Sequence, residues 1–277
     1  MRDTGGQGPA VMLLHGWMAN ADLNWCGAYG ALIDAGYRVL AIDHRGHGRG
    51  LRPLERFRLT DCAADAAAVI SALDAGPALV VGYSMGGAIA QLVARDHPEV
   101  ASGIVLSGTA QHWQDPRARR TFRAMGALGL TLSVAPRVTW RWGLGRVGLP
   151  MNERTAWLQS ELMRHSASDL AEAGRELGRF DSRPWLGSIE RPHFSVVITT
   201  RDEAVPVPKQ RELARACRAQ VFEVPLRHME IVTRAGLYNP VLLEALSAVR
   251  SRLASRMTRA PGNQARLEAE RPASTRA

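Results

Sequence analysis

The sequence predicts an α/β fold, a mostly parallel sheet flanked by helices. Three observations carry this: short apolar runs closed by turn residues, helix-forming stretches between them, and a Gly-x-Ser-x-Gly run at a junction of strand and helix. Ala10 to Leu14, closed by His15-Gly16, and Arg38 to Ile42, closed by Asp43, read as buried strands. Between them, Trp25 to Ala35 suits a helix ending at Gly36. An alanine-rich helix follows from Thr60 or Asp61 through Ala75 and stops at Gly76-Pro77. Ala78 to Val81 supplies the third strand, Met85 to Arg95 a helix, and Ala101 to Leu106 the fourth strand. Later come a strand over Phe194 to Thr200, a helix around Lys209 to Cys217, a strand over Gln220 to Val224 and a last helix over Tyr238 to Leu253. Right-handed β-α-β crossovers turn this order into a parallel sheet covered on both faces.

Residues 112–192 break the alternation. They hold Trp113, Trp140, Trp142, Trp157 and Trp185, several helix-like stretches and no convincing strand. A structureless loop of that length is out of keeping with a compact domain, so a helical cap over one end of the sheet is expected. The organisation read from the chain is therefore 1–111 and 193–253 as two parts of one core, 112–192 as the cap, and 254–277 as a flexible tail poor in aromatics.

Composition narrows the function classes. The net charge of +9 comes from arginines dispersed through helical segments, without a Lys/Arg block interleaved with aromatics, which argues against nucleic acid as a partner. There is neither an apolar run long enough to span a bilayer nor an apolar stretch in the first ten residues, so the expected location is cytoplasmic. Cys26, Cys62 and Cys217 are odd in number and widely spaced, so they read as small buried hydrophobes, neither a disulfide framework nor a zinc site. No metal or cofactor is expected.

The chemistry centres on Gly82-Tyr83-Ser84-Met85-Gly86. Glycines at both ends of the run let the backbone turn tightly from strand to helix and lift the Ser84 hydroxyl above the sheet. The competing reading, an ordinary helix N-cap serine, leaves both glycines unexplained. A serine alcohol needs a base, and His228 lies just beyond the strand Gln220 to Val224 on a loop at the same edge. His97, His112, His165, His193, His44 and His47 are less well placed. Asp202, after the strand Phe194 to Thr200, is the expected orienting acid, with Glu203 as its neighbouring alternative. The backbone amides of Trp17, after His15-Gly16, and of Met85 are the expected oxyanion donors, with His15 bracing that loop.

Together, His15-Gly16-Trp17, Asp43-His44-Arg45-Gly46-His47-Gly48, the Gly82 to Gly87 elbow, Arg201 to Pro206 and His228 resemble the α/β-hydrolase superfamily, in its capped esterase, lipase and cofactor-free haloperoxidase-like branch. The resemblance covers residues 10–250 and implies an α/β-hydrolase fold of the eight-strand type. It also implies a helical cap after the sixth family strand and attack by Ser84 through an acyl-enzyme. Two departures stand out. Arg227 precedes the base where many relatives have glycine, and the chain opens almost at the strand before His15.

A carboxylic-ester hydrolase acting on a small to medium or lipid-like acyl ester is the leading expectation. Thioesterase, acyltransferase and peracid-forming haloperoxidase-like activities are the alternatives, and a non-catalytic protein binding an apolar ligand is the reading from another class. From His112 to Arg164 the cap carries nine arginines against three acidic residues, beside the apolar run Leu128 to Leu132. That mixture suits an acyl tunnel, peripheral contact with an anionic lipid interface, or simple packing of the cap on the core. Oligomeric state leaves no mark on the sequence.

Overall fold

The computed structural model describes residues 1–146 and 153–257. Seven strands form one sheet: β1 (Arg2–Asp3), β2 (Ala10–Leu14), β3 (Arg38–Ile42), β4 (Ala78–Tyr83), β5 (Ala101–Ser107), β6 (His193–Thr199) and β7 (Gln220–Val224). Their order is β1-β3-β2-β4-β5-β6-β7. All neighbours are parallel except β1, which pairs antiparallel with β3. Among the described residues the sheet thus has seven strands where the resemblance implied eight. Its opening edge consists of the two residues Arg2 and Asp3, with Arg38 clamped to the Asp3 carboxylate at 2.7 Å.

Alternation along β2 assigns the two faces. Met12 and Leu14 join the apolar layer containing α3 (Leu59–Ala72) and α4 (Met85–Asp96). Val11 and Leu13 join the opposite layer, with α1 (Ala21–Trp25), α2 (Tyr29–Asp34) and the long terminal helix. Burial on both faces explains why these strands read as continuous apolar runs.

Among the described residues five α-helices lie between β5 and β6: α5 (Pro116–Arg123), α6 (Met125–Val134), α7 (Pro136–Arg146), α8 (Glu153–Leu162) and α9 (Ala167–Arg179). They are followed by α10 (Val207–Ala216), α11 (Glu230–Thr233) and α12 (Ala235–Met257). The end of α8 and the start of α9 are tied by polar contacts to the loops after β2 and β3. Asn20 Nδ2 donates to Glu161 Oε2 at 2.9 Å, the Ser166 amide to the Gly46 carbonyl at 2.9 Å, and the Gly48 amide to His165 Nδ1 at 3.0 Å. Among the described residues no helix is long and apolar enough to cross a membrane.

Three local expectations are corrected. The single helix over Trp25 to Ala35 is two, interrupted at Cys26–Ala28. A Cβ on Gly27 would lie 2.7 Å from that of Ala235, so close approach of α12 sets the path there. Cys26 in that break is exposed, while Cys62 and Cys217 are buried as expected. The last helix runs to Met257, into the segment expected to fray, and the rest of that segment, 258–277, lies outside the described residues.

Candidate active site

The parallel register brings several strand ends to one edge. Tyr83 pairs with Ser107, Ser107 with Val197, and Thr199 with Val224, so the residues that follow these strands share the carboxyl-terminal rim of the sheet. Such a rim is where open α/β sheets bind their ligands.

Ser84 stands between β4 and α4 with φ 54° and ψ −117°, a left-handed conformation that costs a non-glycine residue strain energy. The surrounding structure enforces it. The Ser84 amide donates to the Ser107 carbonyl at 3.0 Å, and the Thr109 hydroxyl donates to the Ser84 carbonyl at 2.8 Å. The neighbouring glycines are required sterically. A Cβ on Gly82 would sit 2.2 Å from the Gly86 carbonyl oxygen, and one on Gly86 would sit 2.1 Å from that of Leu14. The Ser84 side chain does not cap α4. Its hydroxyl instead lies 3.0 Å from His228 Nε2.

His228 Nδ1 lies 2.7 Å from Asp202 Oδ2. With a carboxylate as the acceptor at Nδ1, the ring hydrogen sits there, and Nε2 is left to accept from Ser84. Asp202 is itself fixed: its side chain is fully buried, and Oδ1 accepts from the amides of Ala204 at 2.9 Å and Val205 at 2.8 Å. Oδ2 also accepts from the Thr199 hydroxyl at 2.7 Å. Gln210 reaches in from α10, donating from Nε2 to the Val205 carbonyl at 2.8 Å and accepting the Thr199 amide at 3.0 Å. Glu203 faces solvent, 3.9 Å from the Arg227 guanidinium. Arg227, the departure before His228, is thereby a surface residue.

Gly16 packs against Ser84, with 3.3 Å from its would-be Cβ to the serine Cβ, which brings the Trp17 loop beside Ser84. Met85 opens α4, where the first amides of a helix have no intrahelical acceptor. Among the described residues neither the Trp17 nor the Met85 amide is engaged by another group. The Trp17 indole donates to the Leu170 carbonyl of α9 at 2.9 Å, so the loop is attached to the inserted helices as well as to the sheet.

The remaining histidines near the rim form a structural group. His15 Nε2 accepts the His44 amide at 2.9 Å, and the His15 ring lies 4.2 Å from that of His44 and 5.3 Å from that of His47. His165 lies 5.4 Å from His47. Burial lowers all four, His15 to about 4 and His165 to about 3, which keeps them neutral. Asp43 accepts the amides of Ala21 and Arg49, each at 2.8 Å, holding the same loop. Among the described residues no cluster of His, Cys, Asp and Glu is arranged to hold a metal ion.

All five residues singled out from the sequence thus lie at this rim, with Ser84, His228 and Asp202 in one hydrogen-bonded chain. Sequence reasoning missed Thr199 and Gln210, although Thr199 closes the very strand that delivers Asp202. It also missed Tyr83, whose hydroxyl donates to the backbone carbonyl of His228.

Comparison with known proteins agrees with the architecture. The family profile described as alpha/beta hydrolase fold matches residues 9–127. Epoxide hydrolase B of Mycobacterium tuberculosis is 39% identical over 101 residues, covering 36% of this chain and 28% of that protein. A non-heme chloroperoxidase of Streptomyces lividans is 40% identical over 102 residues, covering 36% of this chain and 37% of that one. The chain therefore matches well under half the length of either relative. An esterase structure from Exiguobacterium antarcticum superposes with a TM-score of 0.76 at 21% identity, covering 90% of this chain and 94% of that one, a likeness of fold. Profile, sheet order and relatives agree on an α/β-hydrolase fold for this chain, with the family profile itself matching residues 9–127.

Proposed function

We propose that this protein is a serine-dependent carboxylic-ester hydrolase acting through an acyl-enzyme. The observation that carries the reading is the hydrogen-bonded chain from Ser84 Oγ through His228 to Asp202, at 3.0 and 2.7 Å. In the forward step His228 Nε2 takes the Ser84 proton as Oγ attacks the ester carbonyl. The tetrahedral oxyanion is held by the amides of Trp17 and Met85, and the N-terminal end of α4 favours its charge. Collapse expels the alcohol, which takes the proton from His228. Water then attacks the acyl-enzyme, giving its proton to Nε2, and Ser84 Oγ leaves with that proton restored. Asp202 keeps the hydrogen on Nδ1 and stabilises the imidazolium.

The surroundings support a choice of substrate class. Trp17 packs against Phe122 with ring centroids 6.1 Å apart, and Met125 of α6 is buried beside Gly174 of α9. This apolar wall, close to the proposed oxyanion loop, favours a small or medium acyl group. A panel of esters of increasing acyl length, assayed with wild type and Ser84→Ala, tests the reading. Turnover confined to wild type and declining with long acyl chains is expected. Equal turnover by both proteins refutes the mechanism. A fluorophosphonate probe that labels wild type at Ser84 and spares His228→Ala separates an enzyme from a protein that merely binds apolar ligands.

A further inference from the structure

We infer that Tyr83 is a positioning residue for the base, its hydroxyl fixing the backbone of His228 so that the imidazole meets Ser84. The inference rests on the proposed roles of Ser84 and His228 and adds a residue to them. Tyr83 occupies the variable position of the elbow, directly before the nucleophile, and is buried at 3% exposure. Its hydroxyl donates to the His228 carbonyl, and its ring lies 5.0 Å from the imidazole at an interplanar angle of 37°.

The base loop needs such a hold. Its apolar anchors are Leu226 before it and Ile231 after it, both buried, whereas Met229 beside the base is 71% exposed. Between those anchors the turn is closed by Arg227 and Glu230: the Glu230 amide donates to the Arg227 carbonyl at 3.0 Å, and the Arg227 amide to Glu230 Oε2 at 2.8 Å. Neither contact ties the turn to the sheet. The Tyr83 hydroxyl does, and from the residue adjoining Ser84. A planar ring with two rotatable bonds is a stiff spacer between nucleophile and base.

The surroundings are shaped to keep that spacer in place. Trp25 meets the Tyr83 ring edge-on, with centroids 6.3 Å apart at 84°. Gly108, at φ 52°, leaves the room the ring needs, since a Cβ there would come within 2.7 Å of it. Burial and the nearby Asp202 hold the phenol well above its ordinary range, so it remains a donor at every pH at which an ester enzyme works.

The test is a double-mutant cycle on the rate of Ser84 labelling by a fluorophosphonate and on ester turnover. Tyr83→Phe retains the ring and removes the donor. In the wild-type background it is expected to slow labelling and kcat about 10-fold, the scale of one hydrogen bond, with KM unchanged. In a His228→Ala background, where no imidazole remains to be aimed, the same substitution is expected to leave the residual rate unchanged. A loss of folded protein caused by Tyr83→Phe enters both ratios alike, so it cancels when the two are compared. An equal slowing in both backgrounds assigns Tyr83 a purely structural role, and no slowing in the wild-type background removes any role; either result overturns the inference while leaving the triad reading intact. Wild type that resists labelling and shows no Ser84-dependent turnover sinks the parent reading as well.

Discussion

At the scale of single residues, the site depends on hydrogen bonds whose roles separate cleanly. Asp202 takes donors from two backbone amides and the Thr199 hydroxyl besides His228. Asp202→Asn retains the shape but presents a donor where an acceptor is needed, so His228 adopts the wrong tautomer. Turnover is expected to fall about 10⁴-fold, as for the equivalent change in a serine protease, while the fold persists by circular dichroism. A loss below about 10-fold would place the orienting acid elsewhere. Ser84, Asp202 and His228 were legible because each closes a recognisable strand and has chemistry its neighbours lack. The Tyr83 link was not: it joins positions 145 apart through a backbone carbonyl, which carries no residue-type signal. Gln210 likewise sits on a helix face where a glutamine reads as solvent-exposed, yet it is fully buried against Thr199.

At the scale of elements, strands were easier to place than helix boundaries. Buried parallel strands are marked by their own apolar runs, and the expected starts and ends fall within two residues of β2 to β7. Helix limits depend on distant partners. The alanine-rich helix stops at Ala72 because the chain turns through Asp74 at φ 47°, a choice that alanine propensity does not encode. The break at Gly27 follows from contact with Ala235, far along the chain. The elbow is the opposite case, since its glycines announce their own sterics. Gly86→Ala would force a Cβ within 2.1 Å of the Leu14 carbonyl oxygen, a backbone atom with no freedom to withdraw. Destabilisation of about 3 kcal/mol or more is expected in urea titration, from strain of the kind that produces the largest single-mutant effects. A midpoint shift corresponding to less than about 1 kcal/mol would show that α4 and β2 slide apart readily.

At the scale of the whole molecule, the inserted helices are seated on the loops after β2 and β3 through a neutral histidine group. His165 belongs to the insertion and His15, His44 and His47 to the core, so their meeting was invisible while the insertion was unplaced. Each has a folded value below its ordinary 6.5, with burial as the first cause. The unfolded chain therefore binds more protons, and stability rises with pH across that interval. It is full above pH 6.5 and is lost on acidification, through about 4 for His15 and about 3 for His165. Every pH unit across which one histidine stays neutral only in the folded state is worth about 1.4 kcal/mol. Thermal melting is expected to fall steeply between pH 6.5 and 4, and less steeply in His165→Asn. A flat profile over that range would mean that the group opens to water. The opposing charges that act on it, Asp43 and Arg52, are retained in that variant.

The central claim is that Ser84 forms a covalent acyl-enzyme with help from His228. Rapid quenching of wild type with an activated short-chain ester, followed by peptide mass spectrometry, tests it most directly. The account predicts one acyl group on the peptide containing Ser84, formed within the first turnover and absent from both Ser84→Ala and His228→Ala on that timescale. An acyl group on another residue, or full turnover with Ser84 replaced, would contradict it.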